Sequence, residues 1–225
     1  GQVRIYQNNG GTWQQIGSDI DGFSAGDQSG SSVSLSSDGS VVAIGADRNA
    51  SNGTASGHVR IYQNNGGTWQ QIGSDIDGEA TADFSGTSVS LSSDGSIVAI
   101  GAPSNDGDSG NSNDNRGHVR IYQNNNGTWQ QIGSDIDGEA AGDQSGTSVS
   151  LSSDGSIVAI GASANDGDSS DWFWRSDDNR GHVRIYQNNG GTWQQIGSDI
   201  DGFSAGDQSG SSASLSSDGS IVAIG

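Results

Sequence analysis

The sequence predicts an all-β fold, a β-propeller of four-stranded antiparallel blades, on three observations. First, one unit recurs four times. Val-Arg-Ile-Tyr-Gln-Asn-Asn begins at Val3, Val59, Val119 and Val183, and the Trp of the following Thr-Trp-Gln-Gln falls at Trp13, Trp69, Trp129 and Trp193, spacings of 56, 60 and 64 residues. Second, each unit holds four short apolar or alternating runs separated by Gly, Asn and Asp turns. Third, no apolar period of 3.6 occurs, and one Pro and 38 Gly in 225 residues speak against helix. Four strands in a repeat of ~40–60 residues are the mark of a propeller, because one blade cannot cover both of its apolar faces alone.

The elements follow in order. Ser88 to Leu91 alternates Ser with Val and Leu, which suits a strand with one wet face. Asp94-Gly95 then separates two apolar runs, a tight hairpin signal. Ile97 to Ile100 is apolar throughout and reads as a strand buried on both sides. His118 to Gln123 alternates Val and Ile with Arg and Tyr, an Asn-Gly turn follows, and Thr128 to Ile136 is the last strand. All variation in length falls between Ala-Ile-Gly and the next Val-Arg-Ile-Tyr. The repeat units run over about 1–45, 46–101, 102–161 and 162–225 of a single repeat domain.

Composition narrows the partners. Eight Arg and no Lys stand against 25 Asp and two Glu, a net charge of -19. That field repels phosphate, which excludes nucleic acid and anionic membrane surfaces as partners. No apolar run approaches the ~20 residues of a membrane helix. Without Cys there is neither a disulfide nor a thiolate metal site. Hydrophobic residues are only 29%, against ~45–50% in ordinary domains, which repeated small interfaces explain better than disorder. The chain opens at Gly1 and stops at Gly225 in mid-pattern, so it reads as mature, trimmed or cut from something longer.

Val98-Ala-Ile-Gly-Ala-Pro103, followed by Gly117-His-Val-Arg-Ile-Tyr122, resembles the FG-GAP repeats that form integrin-alpha-like propellers. The Phe-Gly part is degraded to Ser-Gly at Ser85-Gly86 and Ser145-Gly146. The resemblance implies an extracellular, cell-surface, non-catalytic binding or adhesion module that presents variable loops. It also implies an inner Ser-Val-Ser-Leu strand and an outer Trp-Gln-Gln-Ile strand. On that order the first and last units share one blade if the ring closes, giving four blades, or the chain is part of a larger ring. The family's calcium loop, Asp-x-Asp-x-Asp-Gly, is only Ser-Ser-Asp-Gly-Ser here, so Asp38, Asp94, Asp154 and Asp218 read as hairpin residues. The alternatives are a building block of a cell-surface or filamentous assembly and an engineered scaffold with a grafted aromatic loop. No nucleophile–base or phosphate-loop motif stands out, and the expectation is that the chain is not an enzyme.

Four groups of residues stand out as candidates. Asp106, Asp108 and Asp114 lie in an oxygen-rich, Gly-containing loop suited to weak Ca²⁺ binding, weighed against plain Asx turns. Trp172, Phe173, Trp174 and Arg175 occur once, in the longest loop, and are of hot-spot type, which points to a protein or glycan ligand or to copies of the chain in an assembly. His58, His118 and His182 share one repeat position and need not converge. Arg4, Arg60, Arg120 and Arg184 sit between Val and Ile on a strand, where each should hold a carboxylate or backbone carbonyls.

Overall fold

A computed structural model of the chain describes residues 1–107, 113–167 and 178–225. Among the described residues there is no α-helix, and every sheet is antiparallel. Three blades are complete. The first is β5 (Ser32–Leu35), β6 (Val41–Ala46), β7 (His58–Asn65) and β8 (Thr68–Gln71), with β9 (Ile76–Asp77) also on β7. The second is β10 (Ser88–Leu91), β11 (Ile97–Ala102), β12 (His118–Asn125) and β13 (Thr128–Gln131), with β14 (Ile136–Asp137) on β12. The third is β15 (Ser145–Leu151), β16 (Ile157–Ala162), β17 (His182–Asn189) and β18 (Thr192–Gln195), with β19 (Ile200–Asp201) on β17.

Half-blades flank them. An outer half precedes the first blade: β1 (Gln2–Val3) with β4 (Ile20–Asp21), and β2 (Tyr6–Asn9) with β3 (Thr12–Gln15). An inner half follows the third: β20 (Ala213–Leu215) with β21 (Val222–Ile224). The two halves are separate sheets, so the blade that the sequence leads one to expect across them is not formed within this chain.

The expected fourth strand is broken in two. In the second blade its halves pair with opposite ends of β12, Tyr122↔Gln131 and Val119↔Ile136. The break admits the next blade. The backbone at Ile72-Gly73 meets the following turn so closely that a Cβ on Gly73 would lie 2.7 Å from the Gly127 carbonyl. There Trp129 donates its indole N–H to the Ile72 carbonyl at 2.9 Å, as Trp69 does to Ile16 and Trp193 to Ile132. The repeated Trp is therefore an inter-blade staple, with its polar edge satisfied and its body packed on the neighbour's core.

The inner strands are stitched the same way. The Leu91 and Leu151 amides donate to Ser34 and Ser90 hydroxyls in the preceding blade. Each blade's second strand forms the core: Val98, Ala99 and Ile100 are almost fully buried, as the unbroken apolar run predicts. At the Asp-Gly hairpins the carboxylate caps its own turn. Asp94 accepts from Ser92 Oγ at 2.7 Å and from the Ser96 amide at 2.9 Å, bonds that hold its pKa low.

Candidate functional site: acidic clefts at the blade junctions

The site arises where the Asp-Gly-X segment after one blade meets the first residues of the next blade's third strand. His118 opens β12 and Arg120 follows two residues later on the same face of the strand. Arg120 reaches back across the junction. It donates to the Asp77 carbonyl at 2.8 Å, and its second terminal nitrogen lies 3.3 Å from Glu79. Glu79 is itself held by its segment, whose Glu79 and Ala80 amides donate to the buried Asp83 carboxylate. His118 Nδ1 then lies 3.6 Å from Asp135 and 3.9 Å from Glu79. Gln131 donates to Asp135 at 2.6 Å and fixes its other oxygen.

These groups edge a cleft of about 360 Å³ lined by Glu79, Asn105, Gly107, Ser134, Asp135 and Asp137. The third blade repeats it. Glu139 meets Arg184 at 3.5 Å, His182 lies 3.6 Å from Asp199, and a cleft of about 330 Å³ includes Glu139, His182, Asp199 and Asp201. The first junction differs at one position, because Phe23 stands where the others have Glu. Arg60 lies over the Phe23 ring at 5.6 Å and donates instead to Asp75 at 3.1 Å, while His58 Nδ1 is 3.5 Å from Asp75.

Burial sets the proton chemistry. His118 is 1% exposed, and desolvation, reinforced by the Arg120 charge, lowers its pKa to about 4, so the imidazole is neutral at pH 7. His58 and His182 are lowered for the same two reasons. Glu79 is pushed the other way. Desolvation raises its pKa, Arg120 pulls it back, and Asp135 pushes it up again. Its side chain keeps 45% exposure, so water moderates the shift. Glu139 is raised likewise, against the pull of Arg184.

Each cluster offers one imidazole nitrogen and two carboxylates with donor atoms within 4.8 Å of one another, a set that suits a divalent ion. Each also holds an Arg paired to one of those carboxylates or set against it, so a cation already compensates the charge. At the second and third junctions the arrangement therefore works best as a proton-handling group: a carboxyl whose pKa burial raises, a neutral imidazole and a second carboxylate at one cleft.

The other candidates fall as follows. Asp106 accepts from the Asn115 amide at 3.0 Å, and both oxygens of Asp114 take Arg116, at 3.1 and 3.0 Å. Asp108, Trp172, Phe173, Trp174 and Arg175 lie outside the described residues. Three of the four strand Arg are paired as expected. Arg4 is the correction: it is exposed, because β1 and β2 have neither an inner partner strand nor a preceding blade beside them. The Glu79 and Glu139 positions went unremarked in the sequence. Their signal was that the only two Glu among 27 acidic residues occupy the same place in two repeats.

No protein-family model and no curated protein matches the chain. Solved structures do. A putative 6-phosphogluconolactonase from Bacteroides uniformis aligns with a TM-score of 0.57 at 14% identity, over 100% of this chain and 51% of that one. One from Bacteroides fragilis aligns with a TM-score of 0.50 at 13% identity, over 86% and 41%. Sqt1 of Saccharomyces cerevisiae aligns at 0.47 and 14% identity, over 81% and 38%. The fold is thus a β-propeller, and the chain spans about half the length of the first of these structures and less of the others.

These findings overturn the FG-GAP, integrin-alpha-like assignment. The glycines that carried it are demanded by blade packing itself. A Cβ on Gly101 would lie 2.1 Å from the Gly146 carbonyl, and one on Gly117, at φ +71°, would lie 2.2 Å from that of Ser145. The adhesion-module expectation, which rested on that assignment, falls with it. The expectation of no enzyme is corrected as well: two solved structures that share the fold are named as putative lactonases, and the junction clefts hold acid–base groups.

Proposed function

We propose that the chain is a hydrolase that opens small, uncharged, polyhydroxylated esters of the lactone class in the clefts between blades. The observation that carries this reading is Glu79, a carboxyl raised by burial, facing Asp135 and neutral His118 across one cleft, with the set repeated at Glu139, Asp199 and His182. Unlike environments for neighbouring carboxyls separate an acid from a base. In this scheme Asp135 takes a proton from water as the water oxygen bonds to the ester carbonyl carbon. In its protonated form, released from the Arg120 pair, Glu79 delivers its proton to the ring oxygen as the C–O bond breaks, and the resulting carboxylate pairs with Arg120. His118 stays neutral and packs the site, and Arg120 positions Glu79 through the junction. The name given to two structural neighbours implies hydrolysis of a phosphorylated lactone, which supports the reaction class. A phosphate is a poor fit to a cleft lined by Glu79, Asp135 and Asp137 in a chain of charge -19, hence the uncharged substrate.

The test is a pH-stat assay with glucono-δ-lactone, since each turnover releases one acid. The chain should exceed the spontaneous rate, and the double replacement Glu79→Gln with Glu139→Gln should cut the excess by about 100-fold or more. A wild-type rate equal to background removes the reading.

A further inference from the structure

We propose that a groove between the first and second blades binds a single neutral sugar ring. It lies at the far end of the strands from the acidic clefts: Val41 faces Gln63 at one end of the β6–β7 ladder, and Ala46 faces His58 at the other. The repeat points to it. Ser-Leu-Ser-Ser-Asp-Gly-Ser-Ile-Val-Ala-Ile-Gly and Val-Arg-Ile-Tyr-Gln-Asn-Asn-Gly-Gly-Thr-Trp-Gln-Gln-Ile recur in all four units with two departures in total. Val41 stands where the other units have Ile97, Ile157 and Ile221, and Asn126 stands where they have Gly10, Gly66 and Gly190. The two belong to different units and different blades, yet both line the same groove of about 350 Å³.

Each departure suits the groove to a ligand. At the next two junctions the δ-methyl of Ile97 or Ile157 fills the space beneath the hairpin glycine. A Cβ on Gly155 would lie 2.7 Å from the Ile97 δ-methyl, and one on Gly219 would lie 2.6 Å from that of Ile157. Val41 has no δ-methyl, so the space beneath Gly95 stays open. Asn126 sits at φ +53°, where Gly10, Gly66 and Gly190 sit at +61°, +61° and +63°. Glycine holds that left-handed turn at no steric cost, so what Asn126 adds is its amide.

The lining has the chemistry of a sugar site. Val41 and Ile72 make an apolar floor for the C–H face of a ring. Gln63 from one blade and Asn124 and Asn126 from the other make the walls. Asn124 Oδ1 accepts from the Gly127 amide at 2.7 Å, which fixes the side chain and leaves its nitrogen to a ligand. The Gln63 and Asn126 side chains are not used in hydrogen bonds among the described residues. Each free amide carries donors and an acceptor, the set that matches a pair of hydroxyls. Asp94, capped by Ser92 and Ser96, closes one end of the groove. That carboxylate and the net charge of -19 turn away phosphate and carboxylate, hence a neutral ligand. The volume stands at the small end of the ~300–1,000 Å³ of ligand pockets, which suits one ring and not a chain of them.

The experiment titrates glucose, galactose, mannose and N-acetylglucosamine into the 225-residue chain by calorimetry. At least one should bind with a Kd of ~1–10 mM. Val41→Ile and Asn126→Gly restore the residues of the other repeats, so the melting point should hold in both. Asn126→Gly should weaken binding about tenfold, and the two changes together should abolish it. The 6-phosphate of the sugar that binds should bind about tenfold more weakly or worse. Glu79→Gln with Glu139→Gln should leave sugar binding unchanged, which separates this groove from the lactone clefts. No binding of any of the sugars at about 50 mM overturns the proposal. So does binding undiminished in Val41→Ile, Asn126→Gly, binding lost with Glu79 and Glu139, or a 6-phosphate that binds as tightly as its sugar.

Discussion

Replacing Arg120 by Ala tests the claim that the strand Arg hold neighbouring blades together. The guanidinium is 6% exposed and spans the junction, with a 2.8 Å bond to the Asp77 carbonyl and an ion pair to Glu79. The bond from a charged donor to a carbonyl that loses it contributes ~1.5–3 kcal/mol. The ion pair adds at most ~0.5–1, because Glu79 is nearly half-exposed and water re-solvates it. The ~3–5 kcal/mol of a fully buried broken pair does not apply. The expected cost is about 3 kcal/mol. At Arg60, which bonds the Asp75 carboxylate at 3.1 Å where Arg120 bonds a backbone carbonyl, the loss is that of a part-exposed pair and should be smaller. Urea unfolding of Arg120→Ala, Glu79→Gln and the double variant separates the terms, with a coupling of about 1 kcal/mol or less between the two. An Arg120→Ala variant within ~0.5 kcal/mol of wild type would refute the staple role.

Three further outcomes follow. His58, His118 and His182 have lowered folded pKa values, so the unfolded chain binds protons first on acidification. Stability should be full above the unfolded value near 6.5 and fall toward about 4, the folded value at His118. Melting curves at pH 7 and pH 5 should show this fall, and His118→Gln should flatten it. Glu79 and Glu139, raised in the fold, act oppositely and stabilise as pH drops, but only near their own lower range. Trp129→Phe keeps the ring packing and deletes the bond to Ile72, at an expected ~1 kcal/mol by denaturant unfolding. Calcium at Asp106, Asp108 and Asp114 is a proposal checked by melting with calcium against chelator. Arg116 grips both oxygens of Asp114, so Arg116→Ala should show the larger rise, and no rise in either chain ends the proposal.

The fold was legible because its determinants are local and repeated. Asp94-Gly95 caps its own hairpin, Ile97 to Ile100 buries both faces, and each Asn-Gly turn lies within one unit. The break in the fourth strand was not legible. Ile72-Gly73-Ser74 continues an alternating pattern, and only the arrival of Trp129 from the next blade opens it. The site was hidden for the same reason. Glu79 meets His118 and Arg120 through a junction that no single unit contains. The Asp75–Arg60 pair lies within one unit, but the Glu that turns the cluster into a cleft belongs to the preceding unit. Arg4 misled because its sequence context matches the other three, while its exposure depends on strands that are not beside it.

The first junction carries a control for the proposed chemistry. It has His58, Asp75 and Asp77 in place of His118, Asp135 and Asp137, and Arg60 in place of Arg120, but Phe23 in place of Glu79. The position lies outside the strand ladder, and Phe23 is 78% exposed, so exchange there disturbs no core. Phe23→Glu gives up a cation–π contact of ~0.5–1 kcal/mol. It gains a partly exposed ion pair of ~0–1, so stability should hardly change. The variant should then contain three acid–base clefts instead of two. If the clefts act independently, lactone hydrolysis above background should rise by about half. The gain should vanish in Phe23→Glu, His58→Gln only if the neutral imidazole is needed to pack the new carboxyl. Activity that stays at the two-cleft level would show that Glu79 and Glu139 serve the junctions and not the reaction, because every other member of the cluster is already in place at His58.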